Sequence, residues 1–421
     1  MIEPRHGTAP DAWLRPEWGA WYKVQTHMDD VTGSRGAMSQ GRLDWSTWPR
    51  YEAAVLGFRE YWYPVMRVRQ LKRWGVRTLL GDNVLFYREG GKVFAVNNRC
   101  LHRGVPLSVT VNRFGGRGGP RQEFPGTLTC SYHGWTYDLK SGTLVAALPD
   151  GPESPICGKV RLRTYPLEER LGWIWIYMGD AKPPPVEDDI PRELLENRHY
   201  FWGIRVTQRK GNWRLPVENA ADEAHPRYLH RDALFQYFKR AQPAWMRAKV
   251  TYIEDGRYMT YTPYEVHREA EYPGLGKWPP KRWYHRGKSG VQRVSVGLPC
   301  NVRVNQPKYS IFSWYVPVDA DHHMAIQTVV KFGRGPAVWP FKLYYWLNFR
   351  WVQQLMFGNQ DYQMVQVTDA PPERLFRPDL SIIAWRKMCE RARGGDRQEE
   401  LPPTVQEEEL RELTGEYSAT T

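Results

Sequence analysis

The chain has 421 residues, 41% of them hydrophobic, and a formal net charge of +13 from 59 basic and 46 acidic side chains. That length leaves room for more than one core, and no run of about 18 apolar residues offers a helix able to span a bilayer. The basic balance comes without a Lys/Arg-rich tail or a nucleic-acid motif, and MIEPRHGTAPDAW at the N-terminus lacks an apolar signal region, so a soluble cytoplasmic protein with neither nucleic acid nor membrane among its partners is expected.

Residues 1–55 form a lead with Trp and Gly but no repeat. From LGFREYWYPVM onward, short β-rich runs alternate with turns. VRTLLGDNVLFYREGGKVFAVNN reads as strand, turn, strand, with Gly81-Asp82 and Gly90-Gly91 as the breaks. This sheet delivers two loops, Cys100 and His102 in RCLHRGV, then Cys130 and His133 in TCSYHGWTY. Two Cys–His pairs on two loops are the ligand set of a Rieske [2Fe–2S] cluster, where one iron takes both thiolates and the other both imidazoles. Structural zinc is the alternative for two Cys and two His. Zinc loops, however, usually pair like with like, and here each loop carries one of each. The other cysteines, Cys157, Cys300 and Cys389, are far apart, and an odd total of five fits a reduced cytoplasm better than a disulfide framework.

Basic residues gather near the two loops: Arg67, Arg69, Lys72, Arg73 and Arg77, then Arg103, Arg113, Arg117 and Arg121. They are expected to form a docking rim for an acidic electron-transfer protein, since complementary charge mainly raises the encounter rate. The first domain, residues 56–180, closes near LGWIWIYMGD, and KPPPVEDD reads as a stiff proline linker into a second domain over residues 181–395. That domain mixes strands such as KYSIFSWYVPV with helical stretches such as FKLYYWLNFRWVQQLMF. From Arg393 to Thr421 there are eight acidic and three basic residues, which leaves +18 on the rest. Residues 396–421 therefore read as an acidic tail, mobile or docked as a short helix.

In NWRLPVENAADEAHPRYLH, His225 and His230 are five apart, a turn of about 140° on a regular helix. Pro226 is expected to kink the segment and swing both imidazoles toward one centre. Asp222, three residues before His225, can accept a ring N–H and orient it. Two His and one carboxylate make the facial triad of a non-haem Fe(II) oxygenase. The carboxylate must come from elsewhere, with Asp361 in FGNQDYQMVQ and Asp369 as candidates.

LGFREYWYPVM, CLHRGVPLSV, NWRLPVENAADEAHPRYLH, WYVPVD and IIAWRKM, spread from residue 56 to residue 388, resemble the terminal oxygenases of the Rieske non-haem iron ring-hydroxylating family. The resemblance implies an α+β protein: an N-terminal all-β Rieske domain, then a catalytic domain with a central antiparallel sheet flanked by helices. It implies a homotrimer in which electrons pass from one subunit's cluster to its neighbour's iron. By motif, Cys100, His102, Cys130 and His133 hold the cluster, while His225, His230 and Asp361 hold a mononuclear Fe(II). Asp361 is preferred because the family's third ligand comes from a late helix. Asp222 would bridge the two centres across the interface. The loops lack the extra cysteines of respiratory Rieske proteins, which implies the low-potential oxygenase type.

Electrons would arrive from NADH through a reductase and a ferredoxin, and with no GxGxxG fingerprint the chain itself is not expected to bind the nicotinamide. The implied reaction is dihydroxylation of a planar aromatic or N-heteroaromatic compound with O2. A monooxygenase on the same sites is the alternative, and an electron carrier with an inactive second site is the reading from another class. Two departures stand out. FGGRGGPRQEFPG, residues 114–126, lengthens the stretch between His102 and Cys130 to 27 residues, and residues 235–293, expected to line or cover the substrate pocket, have no familiar match.

Overall fold

The alternating pattern after residue 56 becomes three small antiparallel sheets. The computed structural model describes residues 47–196, 199–232, 245–267, 270–278, 293–306, 309–333, 336, 338–368, 373–395 and 404–405. Most of the lead, much of the expected pocket-covering segment, Asp369 and nearly all of the acidic tail lie outside the described residues. Trp74–Leu79, Asp82–Glu89 and Lys92–Asn97 form the first sheet, Trp62–Arg67, Leu167–Arg170 and Trp173–Tyr177 the second, and Thr127–Thr129, Trp135–Asp138 and Leu144–Ala147 the third.

Register places the first hairpin turn at Leu80-Gly81, one residue before the expected break, because Leu79 pairs with Asp82. Both turn residues have positive φ, 50° and 81°, as a two-residue hairpin of the tightly twisted kind requires. A leucine is an unusual occupant of that position. It is held there because Leu80 is fully buried and the turn docks on the second half of the chain, with Leu80 N–H donating to Pro317 O at 3.0 Å and Gly81 N–H to Val318 O at 2.9 Å. Residues 114–126 are not a featureless loop: Thr110–Val111 and Arg117–Gly118 pair as a ribbon with Phe114 exposed at its tip. Glu89 Oε1 anchors its base, accepting from Gln122 Nε2 and Gly126 N, both at 2.8 Å.

The second half is built on an eight-stranded antiparallel sheet in the order His199–Lys210, His322–Phe332, Tyr309–Pro317, Asn301–Gln306, Arg293–Gly297, Tyr258–His267, Trp245–Ile253, Thr404–Val405. The last strand is the described part of the tail, so this piece docks as a strand and not as a helix. Helices Arg214–Ala221, Gly358–Val367 and Leu380–Glu390 accompany the sheet. Residues 41–421 form one compact unit, and the main apolar core runs through both halves; Trp175 meets Trp314 edge-on at 5.9 Å. The proline-rich segment is itself packed. Trp62 donates its main-chain N–H to the Asp189 carboxylate and its indole N–H to Pro184 O, each at 2.8 Å, and Arg393 pairs with Asp189.

Helix Arg214–Ala221 is pinned by charge and aromatic contacts from both directions. The buried Glu218 carboxylate accepts from Tyr51 Oη at 2.8 Å and from Arg386 Nε at 2.6 Å. Arg386 is wholly buried, pairs also with Glu373, and lies beneath the rings of Trp48 and Tyr51. Trp213 Nε1 donates to Ala54 O at 2.9 Å and Arg214 Nη1 to Tyr51 O at 3.1 Å. Removing one partner of a buried pair strands the other charge, which costs about 3–5 kcal/mol, whereas removing both is far milder. Arg386→Met should therefore lower stability by about that amount in chemical denaturation, and the Glu218→Gln/Arg386→Met double variant should recover part of the loss. A single-variant loss under about 1 kcal/mol would remove this pair from its anchoring role.

Candidate metal centres

The two Cys–His loops share one hydrogen-bond pattern. Cys100 N–H donates to Val105 O at 2.9 Å and Gly104 N–H returns to Cys100 O at 2.8 Å; Cys130 N–H donates to Trp135 O at 2.8 Å and Gly134 N–H returns to Cys130 O at 3.0 Å. Each loop thus closes on its own cysteine through a glycine at positive φ, 73° at Gly104 and 65° at Gly134, where a side chain would be strained. The glycines in CLHRG and YHG are there for this turn. The thiols are buried, 2% exposed each, within a second apolar cluster that includes Leu107, Leu128 and Tyr137. The imidazoles lie outward, His102 exposed and His133 half-buried, with ring centres 4.6 Å apart. Trp135 stacks on His102 at 4.8 Å.

This donor set fits a two-metal cluster better than one zinc ion. Among the described residues, the one group whose three ligand atoms all lie within 4.8 Å of one another is His225, His230 and Asp361; no three of the four loop ligands come that close. A tetrahedral ion with bonds of about 2.0–2.3 Å needs them closer. One of the two thiols also lies ready to lose its proton. A hydrogen bond from Cys130 pushes the Cys100 thiol down to about 5 against the opposing effect of burial, with help from Tyr137 and the main-chain N–H groups of His102 and Arg103, while Cys130 moves up as the proton donor. Tyr137 Oη accepts from Leu101 N–H at 3.1 Å, which leaves its own hydrogen to point at Cys100 Sγ, 3.3 Å away.

His225 and His230 reach their positions by a route different from a proline kink. Helix Arg214–Ala221 ends at Asp222, whose ψ of 116° is extended, and a new short helix begins at His225. Pro226 falls in its first turn, where a missing N–H costs nothing. The helix tightens to a 3-10 turn at Leu229–Asp232, which carries His230 to the same side. His230 Nδ1 donates to Gln360 Oε1 at 2.9 Å, and His225 Nδ1 to the main-chain carbonyl of Asp222 at 3.0 Å. These hydrogen bonds occupy both Nδ1 atoms and leave both Nε2 atoms facing Asp361 Oδ1, at 2.9 Å from His230 and 3.4 Å from His225. A buried carboxylate oxygen shared by two imidazoles fits a divalent metal at this point.

Asp222 takes the His225 ring N–H on its main-chain carbonyl, and its carboxylate acts on the ring by charge. Its Oδ2 is 3.6 Å from Nδ1, while Oδ1 accepts from Ala224 N–H at 2.7 Å and caps the new turn. Gln360, one residue before Asp361, and Phe357, whose ring stacks on His230 at 3.6 Å, were not singled out from sequence. Their placement before Asp361 on the late helix was the available signal. A small polar cleft behind Asp361 is lined by Arg209, Asn219, Tyr315, His323 and Gln327. Of the basic residues near the cluster loops, Arg69, Lys72, Arg73, Arg77, Arg103, Arg113, Arg117 and Arg121 are exposed, whereas Arg67 is half-buried against Trp173 and Trp202.

Residues 61–166 match the Rieske [2Fe–2S] domain model and residues 177–243 the homotrimeric ring hydroxylase model. The chain is 33% identical over 370 residues, 81% of its length and 92% of the relative's, to the terminal oxygenase component of carbazole 1,9a-dioxygenase from Metapseudomonas resinovorans. A solved structure of the reduced complex between oxygenase and ferredoxin in carbazole 1,9a-dioxygenase superposes with a TM-score of 0.70 at 28% identity, covering 83% of this chain and 93% of that one. A 4beta-methylsterol monooxygenase from Methylococcus capsulatus is 34% identical, over 41% of this chain and 44% of that protein.

Without metal, burial would lower the His225 pKa, but hydrogen bonds and charge from Asp222 and Asp361 outweigh it and raise it to about 9. Burial alone would raise Asp361, yet the two histidines hold it well below the usual carboxylate range. At neutral pH His225 therefore carries a proton that a metal must displace. Fe(II) affinity of the iron-depleted protein should rise about tenfold per pH unit between about pH 6.5 and about pH 8.5, and level off above about 9. Anaerobic titrations that give the same affinity across this range would contradict the assignment of His225 as a ligand.

Proposed function

We infer the function from the family, since this chain belongs to the Rieske-type aromatic-ring-hydroxylating oxygenases and is a terminal oxygenase with dioxygenase activity of that kind. We assign the cluster to Cys100, His102, Cys130 and His133, and a mononuclear iron to His225, His230 and Asp361. When bound, the cluster supplies single electrons and the iron binds and activates dioxygen. The convergence of two Nε2 atoms on Asp361 Oδ1 carries the reading, because a bare electron carrier needs no such site. Gln360 and the Asp222 carbonyl hold the ring N–H groups, so both imidazoles present the correct nitrogen without rearrangement. Phe357 covers one face of His230 and keeps water from it.

The substrate we assign is a planar aromatic or N-heteroaromatic compound, carbazole-like, attacked at an angular position. The relative that supports this matches over most of the chain, whereas the monooxygenase match covers 41%. A ferredoxin, reduced by an NADH-dependent reductase, is the electron donor, and the exposed basic side chains around the cluster loops suit an acidic one. The protein works as a homotrimer, with Asp222 joining one subunit's iron site to its neighbour's cluster. Its five cysteines are free, which suits the cytoplasm.

Product analysis under labelled dioxygen, across a panel of aromatic heterocycles, should find both new oxygen atoms labelled, from a protein carrying three irons per chain. One labelled atom would give a monooxygenase; two irons and no product would give a carrier. The route of the electron has its own test. Cys100→Ser and His225→Ala homotrimers should each be inactive, while co-expressed mixed trimers regain part of the turnover. If both variants fold, retain their intact metal site and assemble together without recovery, transfer between subunits is wrong for this protein.

A further inference from the structure

Residues 338–367 form one continuous helical rod, α over Val338–Tyr344, π over Tyr345–Phe357 and α over Gly358–Val367. On its inner face Phe341, Tyr345 and Phe349 recur every four residues and pack with Phe201, Val329 and Ile311 in an apolar cluster separate from the main core. Gly203 permits this approach, since any side chain there would collide with the Tyr345 ring. On the outer face Trp339, Leu343, Leu347 and Trp351 also recur every four residues, and they are 68%, 61%, 72% and 53% exposed. A strict repeat of four drifts about 40° per step around an α-helix, and the wider π backbone reduces that drift, so each stripe stays on its own side. Trp346 and Met356 lie exposed as well. Contiguous apolar exposure of this kind marks an interaction surface.

Charge says what covers it. Lys342 Nζ lies 4.8 Å from the Trp339 ring, and the Arg350 guanidinium 5.0 Å and 5.6 Å from Trp346 and Trp351. From Val338 to Gln360 there is no Asp or Glu. Two copies of this face would meet with like charges. Tryptophans with apolar bodies and polar edges, flanked by Lys and Arg that extend their charges outward, are the composition of a helix lying in a lipid headgroup layer. No helix among the described residues is long and apolar enough to cross a membrane.

We propose that the outer face of the rod from Trp339 to Trp351 is a peripheral docking surface for an anionic lipid bilayer. The sequence expectation of no membrane partner rested on the lack of a spanning segment, and a surface helix needs only one apolar face. The rod runs directly into the metal site, with Phe357 on His230 and Asp361 on the next turn, so an apolar compound dissolved in the bilayer is delivered beside those residues. Delivery rests on the function proposed above; lipid binding does not.

The test is co-sedimentation of the full-length, metal-loaded protein with vesicles of phosphatidylcholine containing about 30% phosphatidylglycerol, against phosphatidylcholine alone. Partition to the anionic vesicles should be at least about tenfold stronger and should weaken with salt. Trp339→Ser/Trp351→Ser and, separately, Lys342→Glu/Arg350→Glu should each reduce it about tenfold or more, with metal content and oligomeric mass unchanged. The proposal is overturned if the parent stays in the supernatant with both vesicles or if the variants bind as well as the parent. It is equally overturned if the tryptophan variant dissociates the oligomer, which would give this face to a neighbouring subunit.

Discussion

A carboxylate buried between a tyrosine hydroxyl and a guanidinium governs the catalytic half of the molecule. Glu218 cannot keep its charge away from water unless Tyr51 and Arg386 are both present, so the segment around residue 51, helix Arg214–Ala221 and helix Leu380–Glu390 must assemble together. The C-terminal end of the central helix then has one exit, through the extended backbone of Asp222 into the turn that starts at His225. Nothing in the two histidines themselves fixes their positions. They inherit them from a charge seven residues upstream of the first of them, and from Gln360 arriving on a different helix.

The two candidate metal centres solve opposite problems. At the Cys–His loops, thiols sit in an apolar interior that disfavours charge, and hydrogen bonds from Cys130, Tyr137 and main-chain N–H groups compensate so that a thiolate can form at Cys100. The imidazoles face outward, so a cluster held here would present its histidine side to a partner. At the second centre an acidic oxygen is placed between two rings that cannot both be neutral around it without a cation. The first is built to exchange charge with a partner and the second to hold charge in place.

Local signals were the legible ones. Cysteine and histidine on the same short loop, with a glycine closing each, could be read because all the physics lies within six residues. The strands around them followed from alternation and paired turn residues, and even there Leu80 displaced the turn by one position, because a contact with Pro317 outweighed its own preference. The geometry of the candidate iron site was legible only in part. Pro226 invited a kink, but the break comes earlier, at Asp222, and the proline merely begins the next turn. Asp361 is preferred to Asp369 by resemblance, since no spacing rule links it to histidines 131 and 136 residues away. Gln360 is invisible for the same reason: its role exists only once two distant segments meet.

The rod between Val338 and Val367 couples distance to orientation. Its outer stripe, its inner stripe and Asp361 lie on one continuous rod, so the surface and the Asp361 carboxylate are indexed to each other by residue count. Side chains along it can be exchanged for others of like character at modest cost, but adding or deleting one residue between Trp351 and Asp361 rotates the carboxylate relative to the stripe, by about 100° where the backbone is α and by less where it is the wider π. Diversification along this segment is therefore confined to substitution, and its length is inherited as a unit.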